Sequence, residues 1–162
     1  MLTARIESAE KETEEGRPNE YEMVIPMGAD TELIAAHTVE QIARRVNFGP
    51  EAINQIKTAL IEACINAAEH SLSPDRKIYQ RFRVENDRLV VTVASRGVVP
   101  ASLAGRNGEQ GDGKDQKEDS KSRRGWGLKL IKTLMDEVEF ERVDDGTQLR
   151  MTKYFRKQLA GQ

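Results

Sequence analysis

The segment from Glu51 to Ser71 constrains this chain more than any other. At about 100° per residue, Ile53, Ile56, Leu60, Ala63 and Ala67 share one face of a helix. Ile61, Cys64, Ile65 and Ala68 widen that face until only a strip with Glu62, Asn66 and Glu69 stays polar in the second half. A helix apolar over so much of its girth is covered on more than one side. Its acids and its amide then face an interior, where they cost free energy unless a partner, metal or ligand satisfies them.

The flanking sequence says what covers that helix. Residues 20–26 read as a strand ended by Pro26-Met27-Gly28. Asp30 or Thr31 caps a helix over 32–46, with Ala35, Val39, Ile42 and Val46 on one face. Asn47-Phe48-Gly49-Pro50 stops it, and Pro50 suits the first turn of the next helix. Residues 77–85 alternate, Asn86-Asp87 make a tight turn, and 88–94 alternate again, which is a hairpin signal. A helix over 127–138 and a second hairpin, 139–143 and 148–154 around Asp144-Asp145-Gly146-Thr147, complete the pattern. Adjacent strands and separately gathered helices predict an α+β fold: a two-layer α/β sandwich whose mixed, mostly antiparallel sheet is covered by helices on one face.

The 162 residues suit one domain with a real core. Hydrophobic residues are 38% of the chain, and the shortfall is local, because 1–19 and 104–124 are almost wholly polar or glycine. The expected organisation is a flexible arm over 1–19, a domain over 20–156 with a lid at about 101–124, and a tail over 157–162. A net charge of -2 with mixed signs excludes nucleic-acid binding through bulk charge. Cys64 stands alone, so no disulfide framework exists, and its apolar surroundings mark it as a buried small hydrophobe. His37 and His70, with that cysteine, are too scattered for a metal-ligand set. No run is long and apolar enough for a membrane span, which makes a soluble cytoplasmic protein the expectation.

Glu62 and Asn66 lie four apart and stack on one helix face. Asn66 offers a neutral oxygen suited to a hard cation such as Mg²⁺, and Glu62 can take a proton from a hydroxyl. The same spacing also describes an ordinary polar stripe on a surface helix, and from spacing alone both readings stand. Further on, Arg123-Arg124-Gly125-Trp126-Gly127-Leu128 reads as a glycine-punctuated loop running into a helix. Glycines allow close backbone approach, and a helix N-terminus offers free N–H groups to phosphate. A plain loop-to-helix junction would look the same.

Taken in order, these pieces resemble the anti-sigma factor serine/threonine kinases of bacterial partner switching, within the superfamily of histidine kinase, gyrase and mismatch-repair ATPase domains. The resemblance covers about 20–156. It is carried by Glu62-Ala63-Cys64-Ile65-Asn66-Ala67, which looks like the N-box, and by Arg123 to Leu128, which looks like the second glycine box. Leu134-Met135-Asp136-Glu137-Val138 and Gly146-Thr147-Gln148-Leu149-Arg150-Met151-Thr152-Lys153 match the family's closing pattern. The resemblance implies ATP and Mg²⁺ as cofactors, Glu62 as general base toward a serine of an anti-sigma factor antagonist, and Asn66 as the Mg²⁺ ligand. It further implies Gly125 and Gly127 beside the phosphates, Arg123 near the terminal phosphate, Thr147 near adenine, and a first helix that docks the sigma factor or the antagonist. A homodimer through the N-terminal strand and first helix is also a family expectation.

One stretch departs from the pattern. Where the family shows D-x-G-x-G after a strand, this chain has Ser95-Arg96-Gly97-Val98-Val99. Gly97 survives, Val99 replaces a glycine, and Ser95 replaces the aspartate that accepts a hydrogen bond from the adenine amino group. Loss of a charged hydrogen-bond partner costs about 1.5–3 kcal/mol, roughly ten- to a hundredfold in affinity. Two expectations therefore stand side by side: an active kinase, and a nucleotide-impaired binding module of the same fold that sequesters a sigma factor or antagonist.

Overall fold

Two hairpins and two added strands build the sheet on which the apolar helix lies. The computed structural model describes residues 5–7, 19–97, 127–143 and 145–155. The elements are β1 (Arg5–Glu7), β2 (Glu20–Pro26), α1 (Thr31–Arg45), α2 (Pro50–His70), β3 (Lys77–Val84) and β4 (Arg88–Arg96). A helix over 127–134, α3, precedes β5 (Glu137–Val143) and β6 (Gly146–Tyr154). The strands form a six-stranded sheet in the order β1-β2-β3-β4-β6-β5. Every pairing is antiparallel, so the expected mixed sheet resolves into an antiparallel one among the described residues.

Period two decides the faces. Met23, Ile25, Ile78, Phe82, Leu89, Val91, Val93, Leu149 and Met151 are buried on the side of the helices. Ile53, Ile56, Ala59, Leu60, Ala63 and Cys64 of α2 fill the space above them, with Ala35, Val39 and Ile42 of α1 alongside. Burial pushes the Cys64 thiol up to about 12, as expected for a cysteine that packs as a small apolar group. The opposite face carries ion pairs, among them Arg81 with Glu22 at 2.8 Å and Arg150 with Glu139.

Element ends follow local chemistry. Asn47, at φ 64°, ends α1; its N–H reaches the Arg44 carbonyl at 3.2 Å and the Phe48 N–H reaches Ala43 at 3.1 Å, the paired bonds of a Schellman cap. Pro50 occupies the first turn of α2 as the sequence predicts. At the start of α1, Asp30 stands at the cap position without a side-chain cap bond, and Thr31 instead donates to the Gly28 carbonyl at 3.1 Å. One expectation is corrected. Val138, placed in a helix by its apolar period, is in β5 opposite Met151. Asp136 breaks the helix: its N–H donates to the Thr152 carbonyl at 3.0 Å and its carboxylate accepts the Tyr154 N–H at 2.8 Å. Within the segment read as a flexible arm, Arg5–Glu7 pairs as an edge strand with β2, Arg5 opposite Val24.

Candidate functional site

The polar strip of α2 meets the start of α3. Glu62 and Asn66 are half-buried, and Gly127 opens α3 directly against them. A Cβ at Gly127 would lie 2.9 Å from Asn66 Nδ2, 3.2 Å from Asn66 Oδ1 and 3.4 Å from Glu62 Oε2. Glycine lets the backbone approach the two side chains this closely without displacing them. The free N–H groups of the first turn of α3 therefore start beside an amide and a carboxylate.

Asn66 also carries an unmet requirement. Its Nδ2 is buried with no hydrogen-bond partner among the described residues. A buried donor left unpaired costs about 1–3 kcal/mol. An anionic oxygen would satisfy Nδ2, and the Asn66 Oδ1 beside it suits a hard cation. The residues present thus fit a phosphate group carrying Mg²⁺, with the amides of α3 as further donors.

The other end of the site lies where β4 meets the turn between β5 and β6. Ser95 and Thr147 stand opposite each other in the β4–β6 register. Their hydroxyls are 3.4 Å apart, and the residues are 4% and 8% exposed. Two glycines hold this end. At Gly146 a Cβ would fall 2.0 Å from the Ser95 carbonyl oxygen. Gly97 has φ 107°, and a Cβ there would fall 2.4 Å from the Leu72 carbonyl oxygen. The Gly97 N–H donates to the Asp145 carbonyl at 2.7 Å, and the Ser71 hydroxyl donates to the Arg96 carbonyl at 3.3 Å. These contacts tie the end of α2 to the end of β4. Asn66 and Ser71 are five steps apart along α2 and its cap, about 7.5 Å of rise, so both groups of residues are anchored at the C-terminal end of that helix.

The loop after α2 is braced from beneath. Asp75 accepts from the Ser73 hydroxyl and the Tyr79 hydroxyl, each at 2.6 Å, and from the Lys77 N–H at 3.2 Å. The Ser73 and Tyr79 hydroxyls hold its carboxyl below the usual range. His70, in the last turn of α2, lies 3.7 Å from the Glu69 carboxylate, and His37 is exposed on α1.

Residues 29–153 match the histidine kinase-like ATPase domain family. The chain belongs to this family. Within it, the serine-protein kinase RsbW of Bacillus licheniformis is 34% identical over 126 residues, 75% of this chain and 76% of that protein. RsbW of Bacillus velezensis is 35% identical over 138 residues, covering 82% and 84%. RsbW of Halalkalibacterium halodurans is 32% identical over 142 residues, covering 87% and 86%. Similarity at this level over most of both chains places this chain in the branch of the anti-sigma factor serine/threonine kinases. A crystal structure of RsbU and RsbW domains from Mycobacterium tuberculosis shares the fold, with a TM-score of 0.62, 15% identity and coverage of 85% of this chain and 32% of that one.

Of the residues singled out in the sequence, the fold brings Glu62, Asn66 and Gly127 together at one end, and Ser95, Gly97 and Thr147 at the other. Arg123, Gly125, Trp126, Val99 and the lid at about 101–124 lie outside the described residues. Two contributors stood in the sequence only within the closing pattern, with no role of their own. Gly146 was otherwise a turn residue, although the close strand pairing beside it requires glycine. Lys153 is 5% exposed and donates to the Leu134 carbonyl at 2.7 Å, below the end of α3. A lysine at a core-facing position of an alternating strand was the clue to it. Among the described residues no helix is long and apolar enough to cross a membrane.

Proposed function

We propose that this protein is an ATP-dependent serine/threonine protein kinase that phosphorylates an anti-sigma factor antagonist, and that it also captures the sigma factor. The observation that carries this reading is the convergence of Gly127 on Asn66 and Glu62. Similarity to chains named serine-protein kinase supports it. ATP is the phosphoryl donor, and Asn66 Oδ1 would hold a Mg²⁺ ion, which would supply charge neutralisation at the phosphates. Asn66 Nδ2 and the first amides of α3 orient the phosphate oxygens. Glu62 accepts the proton of the partner's serine hydroxyl as that oxygen bonds to the terminal phosphorus. The bond to the bridging oxygen breaks and ADP leaves. Arg123 and Gly125 complete the phosphate end in this proposal, and Ser95, Gly97 and Thr147 form the base end. The exposed side of α1 is the docking face for the partners, in a cytoplasmic setting.

Calorimetric titration with Mg²⁺-ATP, followed by phosphate transfer to the cognate antagonist, tests the reading. Glu62→Ala should abolish transfer and retain nucleotide binding. No binding of Mg²⁺-ATP up to millimolar concentration would sink the kinase. Ser95 in place of an acceptor carboxylate favours one second reading: a binding module of the same fold that holds its protein partners without turnover.

A further inference from the structure

The base end of the proposed site is built from two hydroxyls. A carboxylate only accepts hydrogen bonds, whereas a hydroxyl has one donor and two acceptor positions and rotates to suit its partner. Ser95 Oγ and Thr147 Oγ1 share a hydrogen bond of 3.4 Å in which either can be the donor, longer than the 2.5–3.0 Å of a well-made O–H···O bond, so each can exchange it for a closer partner. Both residues are nearly buried, and their mutual bond is the one described for either hydroxyl. Among the described residues the nearby carboxylates leave the reading of a base to this pair: Asp75 is engaged by Ser73, Tyr79 and the Lys77 amide, and Asp145 is exposed at the turn.

We infer that the Ser95–Thr147 pair makes this site indifferent to the 6-position of a purine, so that 6-amino and 6-oxo nucleoside triphosphates bind about equally. The inference rests on the proposed reading of these residues as a Mg²⁺-nucleotide site. Adenine presents an amino donor at position 6 and a bare N1. Hypoxanthine presents an oxygen acceptor and a protonated N1. Ser95 accepts from the first base and donates to the second, directly or through one water. A carboxylate at the same place accepts from the amino group and repels the oxygen. Ser95 therefore sets substrate breadth, and binding persists without the aspartate.

The test is calorimetry on the full chain with the Mg²⁺ salts of ATP, ITP and tripolyphosphate. ATP and ITP differ in the hydrogen-bonding pattern at position 6 and N1, and tripolyphosphate has no base. The expected result is dissociation constants for ATP and ITP within about threefold, both tighter than tripolyphosphate, because neutral hydrogen bonds are exchanged for equivalent ones. Ser95→Asp should shift the ratio to about tenfold or more in favour of ATP. If that variant fails to fold by circular dichroism, Ser95→Ala should weaken ATP and ITP by the same factor, and unequal losses would overturn the inference. A wild-type preference for ATP of tenfold or more also overturns it. Nucleotides that bind no better than tripolyphosphate overturn it too, while leaving the phosphate end and the kinase reading intact. Failure of all three ligands to bind defeats the kinase reading itself, and this inference with it.

Discussion

A methyl group at Gly127 would meet the amide of Asn66, whereas one at Gly146 would meet the backbone oxygen of Ser95. The two obstacles differ in kind. The Asn66 amide is the end of a flexible side chain and can swing away, but then it leaves the place where the proposed site would use it to meet a phosphate. Gly127→Ala should keep the thermal midpoint close to wild type and weaken Mg²⁺-ATP by about tenfold or more, roughly the value of a charge-assisted hydrogen bond. Titration beside a melting curve checks both halves, and unchanged affinity would remove Asn66 from the site. The Ser95 carbonyl cannot move without parting β4 from β6, so Gly146→Ala should cost about 1–3 kcal/mol, read by urea unfolding. That Glu62 and Asn66 share one face was legible in sequence because both stand on one strongly periodic helix, where spacing gives direction. The meeting of Ser95 with Thr147 was not, since it depends on the register of two strands 52 residues apart, which side-chain alternation alone does not determine.

Elements with a strong period and a recognisable end were readable, and those settled by distant partners were not. The strand over Glu20–Pro26 coincides with its sequence expectation, and both helices begin and end within a residue of theirs. Strand β1 has only three residues beside a glutamate-rich run, and the pairing groups of β2 form it. The boundary between α3 and β5 fails for a related reason: Val138 satisfies both periods, and the hydrogen bonds of Asp136 to β6 decide between them. Lys153 belongs to the same junction. Its ammonium meets the carbonyl of Leu134 and lies 4.0 Å from the Asp136 carboxylate, a cation where the helix dipole favours one. Lys153→Met should cost about 1–3 kcal/mol, because the carbonyl loses a charged donor inside the fold. Since α3 also carries Gly127, Mg²⁺-ATP affinity should fall with stability. Chemical unfolding with a parallel titration reads both, and wild-type stability in the variant would deny Lys153 its capping role.

At the scale of the whole molecule, the two-layer arrangement puts an ion pair across the helix layer. Glu40 on α1 accepts from Lys57 on α2 at 2.8 Å and from Arg44 at 2.7 Å. The Lys57 hydrogen bond first, then the Arg44 bond, lower its carboxyl from 4.5 to about 2. Asp75, which braces the loop after α2, is also lowered, chiefly by the Ser73 and then the Tyr79 hydroxyl. Both folded values lie below the unfolded ones. Their stabilisation is therefore fully present above the unfolded values and is lost as pH falls through the folded ones. For Glu40 that window runs from pH 4.5 down to about 2. Because Glu40 is solvent-accessible, salt and water screen the pair and its share of stability is small. Its signature is a slope rather than a plateau. Wild-type stability, measured by urea unfolding at fixed ionic strength, should be flat from pH 7 to about 5 and decline below. Glu40→Gln should lose little at pH 7 and decline less steeply between pH 4.5 and 2.5. Asp75→Asn should flatten the decline as well, and should loosen nucleotide binding at pH 7, because the Asp75 brace underlies Ser73 and the contact with Gly97. Identical slopes in wild type and Glu40→Gln would show that the α1–α2 ion pair does not couple protonation to folding.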